Sequence, residues 1–412
     1  MNDLLRPFSI PLAALAAALM FGCASIPKTP AQEQDEAGRP PVQEEQTPDV
    51  PPQAAEDTVT LLFAGDIMAH TPNFAMKDYA RIWEDIAPIV QGADFAFANI
   101  EAPVDDSRPF STYPNFNMND AYPQAAIDAG FNVFSLVNNH TNDQRLEGML
   151  ATVRWAEEKS RAYAEASRPV AFSGINKAPE SGISYTILKK GSWKILFCAV
   201  TEILNTPEYR SYMNFVPYTE KGRANFLQTV KKIRAESGCD LFVLSLHSDE
   251  PEYIAPVHPE RKEYYHQLLA GGVDIVWANH PHIIRERELV GSTADGAITK
   301  LIMYGNGNTI SGQRTTPRFD NPSTPRDNTG DGFLWQATYS KRADSPPRVK
   351  STTPIFITTY INDKLEMIVK KLDDDFAAQL EERGETQWAD YIRQRKIISE
   401  EAKETTTWQE NQ

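Results

Sequence analysis

Several apolar runs of strand length in this chain end abruptly in side chains that bind metals. Residues 59–64 run into Gly65-Asp66, residues 95–98 into Asn99-Ile100-Glu101, and residues 133–137 into Asn138-Asn139-His140. Residues 241–246 end in His247, and residues 275–278 end in Asn279-His280-Pro281-His282. Residues 195–200 and 301–304 read as further buried strands. Between the runs lie amphipathic stretches at 79–90, 123–129, 146–159, 222–236 and 261–269, which read as helices. Alternation of this kind predicts an α/β fold with layered sheets. In open α/β sheets ligands bind beyond the carboxyl ends of the strands, so five such ends at one edge would build a polynuclear site.

Histidine usage sharpens this reading. The chain has seven histidines, and four of them, His140, His247, His280 and His282, stand at these strand ends. One histidine alone is more often a satisfied core or surface residue; four, in the company of Asp, Glu and Asn, point to ligation. His280 and His282 flank Pro281, and in an extended segment such residues point the same way, able to bracket two ions or bind one. Imidazole, amide oxygen and carboxylate together suit Mn, Fe or Zn rather than Ca.

The rest of the chain divides as follows. Residues 1–22 carry Arg6 and a nearly continuous apolar run over 8–21, too short for a comfortable membrane span, and read as a secretory signal. The run closes on Gly22-Cys23, which resembles a bacterial lipoprotein signal, so Cys23 is the expected lipidation site and its acyl chains the expected membrane anchor. Residues 23–57 are rich in Pro, Gln and Glu; within 24–57 eight acids face only Lys28 and Arg39. Such a segment cannot bury enough surface to offset chain entropy and reads as a disordered tether. The main domain is expected over 58–396. Within it, residues 354–361 and 365–372 read as a late hairpin turning at Asn362-Asp363, followed by one helix over 376–395. Residues 397–412 read as a polar tail.

Other chemistries are excluded. The net charge of −15 repels nucleic acid, so no nucleic-acid partner is expected. Three cysteines make neither a disulfide scaffold nor a Cys-based zinc module; Cys198, inside an apolar run, reads as a buried strand thiol. No Walker-type loop is present, and Ser245 and Ser248 lack a nucleophile-elbow context.

Taken in order, Gly65-Asp66-Ile67-Met68, Asn99-Ile100-Glu101, Asn138-Asn139-His140 with Asp143, His280-Pro281-His282 and Tyr304-Gly305-Asn306-Gly307-Asn308 resemble the bacterial capsule-synthesis CapA family, which is associated with poly-γ-glutamate capsules. The resemblance spans about residues 58–309. It implies a layered α/β sandwich similar to calcineurin-like metallophosphatases, holding one or two divalent ions of Mn, Fe or Zn. Carried over residue by residue, Asp66 and His282 bind one metal, Asn139, His247 and His280 the second, and Glu101 bridges them. His140 is then the general acid or the group that holds the leaving oxygen. Asp143 orients His140, and Asn99 and Asn308 support the ligands from behind. Arg285 stands where the family usually has Gln and is a candidate to meet an anionic substrate, or else pairs with Glu286 or Glu288. The sequence departs from the metallophosphatase pattern at Met68, where a histidine is usual. The stretch after His247 is also altered, so that either Glu252-Tyr253 or Glu250 takes the family's Glu-Tyr part.

The resemblance implies an envelope lipoprotein on the extracytoplasmic side of a bacterial membrane. It would act in synthesis or export of an anionic, poly-γ-glutamate-like polymer, alongside synthase or exporter subunits, with metal-dependent hydrolase chemistry. Two alternatives stay open: a metal-dependent phosphoesterase acting on a small or polymeric phosphoester, and a non-catalytic scaffold lipoprotein. Met68 favours an accessory with a reduced site; His140 and the two-histidine motif favour an enzyme.

Overall fold

The computed structural model describes residues 56–409 except 180, 181, 249, 295 and 344. The signal over 1–22, Cys23, nearly all of the tether over 23–57, and residues 410–412 lie outside the described residues.

Two mixed sheets form the frame. The first contains β1 (Asp57–Ile67), β2 (Phe95–Ile100), β3 (Val133–Ser135), β4 (Ala171–Ser173), β11 (Asn308–Ile310), β12 (Asp331–Arg342), β13 (Ser345–Ile361) and β14 (Met367–Lys371). Its order is β14-β13-β12-β1-β2-β3-β4, with the short β11 beside the end of β1. The second contains β5 (Thr186–Lys190), β6 (Trp193–Thr201), β7 (Leu241–His247), β8 (Ile275–Asn279), β9 (Arg287–Ser292), β10 (Ile298–Met303) and β15 (Glu404–Gln409), in the order β15-β9-β10-β8-β7-β6-β5. β1, β2, β3 and β4 run parallel, as do β6, β7, β8 and β10, so their carboxyl ends point one way within each sheet.

Strand periodicity explains the layering. In β1, Val59, Leu61 and Phe63 enter one core while Leu62 and Ala64 enter another. In β6, Ile195, Phe197 and Ala199 join the first of these, and Leu196, Cys198 and Val200 face the opposite way. With side chains alternating between faces, strands apolar on both must be covered on both. The shared core lies between the sheets, where Phe97 meets Phe63 at 4.7 Å and Phe197 at 5.4 Å between ring centroids. Trp277 sits in this core and donates its Nε1 hydrogen to the carbonyl of Ala64 at 2.8 Å. The outer face of the first sheet is covered by α2 (Ala80–Trp83), α3 (Ala87–Gln91), α4 (Ala121–Ala129) and α5 (Arg145–Ala162), and the outer face of the second by α6 (Glu220–Ser237) and α7 (Pro259–Ala270). Short α1 (Thr71–Phe74) and α8 (Pro325–Asn328) lie in loops. Cys198 is buried and unpaired, as expected of a strand thiol.

Three expectations change. The helix read over 79–90 is two short helices, and Pro88 opens the second, where a missing N–H costs nothing. The helix read over 376–395 is α9 (Asp374–Glu382) and α10 (Thr386–Glu400), broken by Gly384 at φ +78°. Glycine after a helix end takes the left-handed turn without a Cβ penalty. Finally, the polar tail expected over 397–412 is not a tail over its described part: residues 397–400 finish α10, and β15 pairs parallel to β9. Polar threonines hold this edge by ladder bonds, the Arg287–Glu404 ion pair at 2.9 Å fixes its start, and the Trp408 ring covers Gly291, where a Cβ would meet it at 2.5 Å.

Candidate metal centre

Strand register brings the polar strand ends together. Asp66 stands opposite Asn99 on β2 and opposite Asn308 on β11. In the second sheet His247 stands opposite Thr201 and Asn279. Gly65 makes the approach of β11 possible: a Cβ there would lie 1.9 Å from the carbonyl oxygen of Gly307. The pairing of β1 shifts register around Asp66, which re-aims its carboxylate as bulges do.

Asp66, Glu101, His247, His280 and His282 are all buried. They form two overlapping triads, Glu101 with His280 and His282, and Asp66 with Glu101 and His247; within each, one donor atom per residue lies within 4.8 Å of the others. Glu101 is common to both, the placement a bridging carboxylate needs. The triads group His280 with His282, and His247 with Asp66, across the division that the resemblance implies. The oxygen Oδ1 of Asn139 lies 2.9 Å from Nε2 of His247. Asn99 donates to Asp66 Oδ1 at 2.8 Å and to Glu101 Oε2 at 3.2 Å, fixing both carboxylates. His282 Nδ1 lies 3.1 Å from Asp66 Oδ2 and 3.1 Å from Asn308 Oδ1, which leaves Nε2 towards Glu101 Oε1 at 3.7 Å.

The extended geometry expected of His280-Pro281-His282 is not what the chain adopts. β8 ends at Asn279, and His280 and His282 have φ +103° and +58°. Positive φ is strained for a side chain with a Cβ and is typical of sites where function over-determines geometry. The turn still brings both rings to Glu101, with centroids 5.9 Å apart.

The electrostatics fit a cation. Burial, then the neighbouring Asp66, pushes the Glu101 carboxyl well above its usual range. Burial, then His280, holds His247 far below the ordinary imidazole value, and burial with His282 holds His280 down at about 3. Burial pulls His282 down too, but the hydrogen bond and charge of Asp66 outweigh it and raise the ring overall. Glu101 Oε1, His247 Nδ1 and His280 Nδ1 are buried with no hydrogen-bond partner. Unpartnered buried acceptors and neutral imidazoles beside carboxylates are costly alone and are what a divalent ion satisfies. The donor set therefore fits Mn, Fe or Zn.

Beside the cluster a cleft of about 370 Å³ is lined by Asn139, His140, Asn142, Arg145, Asn205 and Glu252 among others. His140 Nδ1 lies 2.7 Å from Asp143 Oδ2, so the carboxylate orients the ring and leaves Nε2 for chemistry. Phe116 packs edge-on against His140 at 4.7 Å and against His70 at 5.1 Å. His70 Nδ1 accepts from the Gly312 backbone at 3.1 Å, and burial holds its pKa at about 4.

Other candidates are placed elsewhere. Met68 packs in the outer hydrophobic cluster of the first sheet, not with the ligands. Arg285 is fully buried and does not face the cleft: Nη1 pairs with Glu250 at 3.0 Å, and Nη2 donates to the carbonyls of Pro251 and Ile254. Its partner is Glu250, neither Glu286 nor Glu288. Glu250 also pairs with Arg261 at 2.9 Å, so it belongs to an internal ion network. Glu252 lines the cleft, and Tyr253 stands 6.1 Å from the His282 ring at φ +63°. The two glutamates that the sequence leaves open are thus separated.

Residues that sequence reasoning missed include Asn205, whose amide lies 3.1 Å from His140 Nδ1, and Gln313, which joins Asn308 to the hydroxyl of Tyr253. Both lie in loops without a local signal.

A family model described as bacterial capsule synthesis protein PGA_cap matches residues 60–313. The capsule biosynthesis protein CapA of Bacillus anthracis is 21% identical over 276 residues, covering 63% of this chain and 61% of its own. The PGA biosynthesis protein CapA of Bacillus subtilis is 20% identical over 275 residues, covering 64% of this chain and 66% of its own. The chain thus spans less than two thirds of the length of these relatives. Among solved structures, a hypothetical protein from Thermus thermophilus aligns at a TM-score of 0.37 and 17% identity, over 72% of this chain and 98% of that one.

Proposed function

Since this chain belongs to the bacterial capsule synthesis family PGA_cap, matched over residues 60–313, we propose that it acts at the cell envelope in making or exporting an anionic polymer of the poly-γ-glutamate kind. The observation that carries the reading is the buried cluster at the strand ends, in which Glu101 joins both triads and the donor atoms lack partners of their own. In this reading Asp66, Glu101, Asn139, His247, His280 and His282 hold one or two divalent ions, in a layered sandwich of the calcineurin-like kind. Bound there, such ions supply Lewis-acid polarisation and a lowered water pKa. The protein's own part is to hold those donors in place and to orient His140 through Asp143, which leaves His140 Nε2 to exchange a proton with a leaving oxygen or nitrogen. The bond cleaved is an amide of the polymer, or a phosphoester in the alternative reading.

A second reading, a non-catalytic partner of synthase or exporter subunits, is favoured by one observation: Met68 takes the place of a ligand and is packed into the core. In both readings Cys23 is lipidated and holds the domain to the extracytoplasmic face of a membrane. Metal analysis of the purified protein beside an Asn139→Ala, His280→Ala double variant tests the centre. Two ions per chain support hydrolysis, one supports the accessory, and none after incubation with Mn or Zn would falsify the metal reading. For the anchor, a Cys23→Ser variant should no longer incorporate labelled fatty acid.

A further inference from the structure

The metal cluster is flanked by two recesses that meet at consecutive residues. Glu252 lines the cleft that holds His140, whereas Tyr253 lines a separate pocket of about 500 Å³ bounded by Thr316, Arg318, Pro325, Arg326 and Thr329. Each recess carries an arginine that forms no ion pair among the described residues. In the cleft this is Arg145, exposed and at φ +58°, its backbone N–H bonded to the carbonyl of Asn142 at 2.9 Å. A left-handed arginine at the first position of α5 is a strained choice that the surrounding loop maintains. In the pocket it is Arg326, whose side chain among the described residues donates only from Nη1 to the Gln313 carbonyl, at 3.3 Å; Arg318, by contrast, is paired with Asp320 at 3.1 Å. Gln313 in turn contacts the Tyr253 hydroxyl and Asn308, the partner of His282. The pocket therefore connects to the cluster by side-chain contacts.

A third group narrows the ligand. Asn142 is buried, 4% exposed, and lines the cleft; its Nδ2 donates to Thr206 and Glu208, but its Oδ1 has no partner. An orphan acceptor needs a donor hydrogen, from an N–H or an O–H. An amide-linked chain brings one at every unit, and a polyphosphate brings none. Glu208 and Glu252 in the same cleft also repel a densely charged phosphate chain. The wall of the other pocket, with Tyr253 and Pro325, suits methylene groups that end in a carboxylate on Arg326.

Resting on the polymer reading above, we infer that Arg145 and Arg326, one in each recess, bind carboxylates of an extended amide-linked chain, with Asn142 Oδ1 accepting one of its amide hydrogens. Both arginines are binding residues and neither takes part in bond cleavage.

The test measures binding of a γ-linked oligoglutamate, and of inorganic polyphosphate of matched charge, to the full chain and to Arg145→Gln, Arg326→Gln and the double variant. Metal content is determined on the same samples. Glutamine at 145 meets the same left-handed backbone as arginine, so the substitution changes charge rather than strain. Each single change is expected to weaken oligoglutamate about five- to tenfold, the pair multiplicatively, with metal content unchanged. Unaltered oligoglutamate affinity in the double variant, or no oligoglutamate binding by the wild-type chain, overturns the inference. Polyphosphate bound more tightly through the same two arginines also overturns it, and marks a phosphoanion groove. Arginine-dependent binding to a chain that takes up no metal would uphold the inference while sinking the metal centre, so the two failures are distinguishable.

Discussion

His282 places Nδ1 3.1 Å from the carboxylate of Asp66, a contact in which neither side chain is exposed to solvent. The hydrogen on that nitrogen serves Asp66 and Asn308 together, so the tautomer is set by the protein, and the other nitrogen is free for a metal. Chelation should therefore loosen the whole cluster. With metal at a hundred times its dissociation constant, removal is expected to cost about 2.7 kcal/mol. Thermal unfolding with and without EDTA reads this as a lower Tm, and a His282→Ala variant should show no such drop.

Met68→His is expected to leave metal stoichiometry unchanged. The Met68 side chain packs in the hydrophobic cluster beyond the first sheet, so a histidine there meets apolar neighbours rather than the ions. The cost should be about 1–3 kcal/mol, from burying a polar ring without a partner. An added ion per chain by mass spectrometry would show that residue 68 can turn to the centre.

Arg285→Ala should destabilise the chain by about 3–5 kcal/mol, because it leaves Glu250 buried with one partner fewer and frees the carbonyls of Pro251 and Ile254. Urea unfolding measures this. A variant as stable as wild type but defective in polymer binding would restore Arg285 as a ligand-contacting residue.

Gly65→Ala is expected to cost more than about 3 kcal/mol, since the new methyl overlaps the Gly307 carbonyl and backbone must move to relieve it. A small change in denaturation midpoint would mean that β11 is free to retreat.

The His70 ring gives a pH signature. Its native pKa of about 4 lies below the ordinary imidazole value because burial disfavours the charged form, and its Nδ1 accepts from Gly312. Between pH 6.5 and 4 the unfolded chain binds the proton and the native one does not, so stability falls as pH drops through that window. His70→Gln keeps an acceptor and removes the titration. Its urea midpoint should fall less between about pH 7 and about pH 4.5 than that of wild type, and parallel falls would refute this account.

The two sheets and the gathering of Asp66, Glu101, His247, His280 and His282 were legible because local pattern reports them. Apolar alternation in β1 and β6 already names two faces, and a polar residue closing an apolar run, as Asp66 and His247 do, marks the carboxyl end of its strand. What was illegible depends on partners distant in sequence. Nothing near Arg285 tells that Glu250 will bury it. β15 has no apolar stripe, because its strand character comes from the ladder to β9. Pro281 suggested an extended segment around His280 and His282, and the demand for both rings at Glu101 overrode that local preference with positive φ at each. Gly384 did carry a helix-stop signal, and the long amphipathic pattern over 376–395 masked it.

The contact that Gly65 makes with Thr309, between groups 244 residues apart in sequence, has a bearing on when the centre can exist. Asp66 emerges early in synthesis, yet β11 and Asn308 follow almost the whole second sheet. Contacts of such long range form slowly, because the intervening chain must be ordered first. The carboxylates and imidazoles are therefore exposed to solvent cations through most of folding, and come together only as both sheets are assembled. An ion held by this cluster would therefore be taken up only once both sheets are assembled, from what the compartment supplies at that moment.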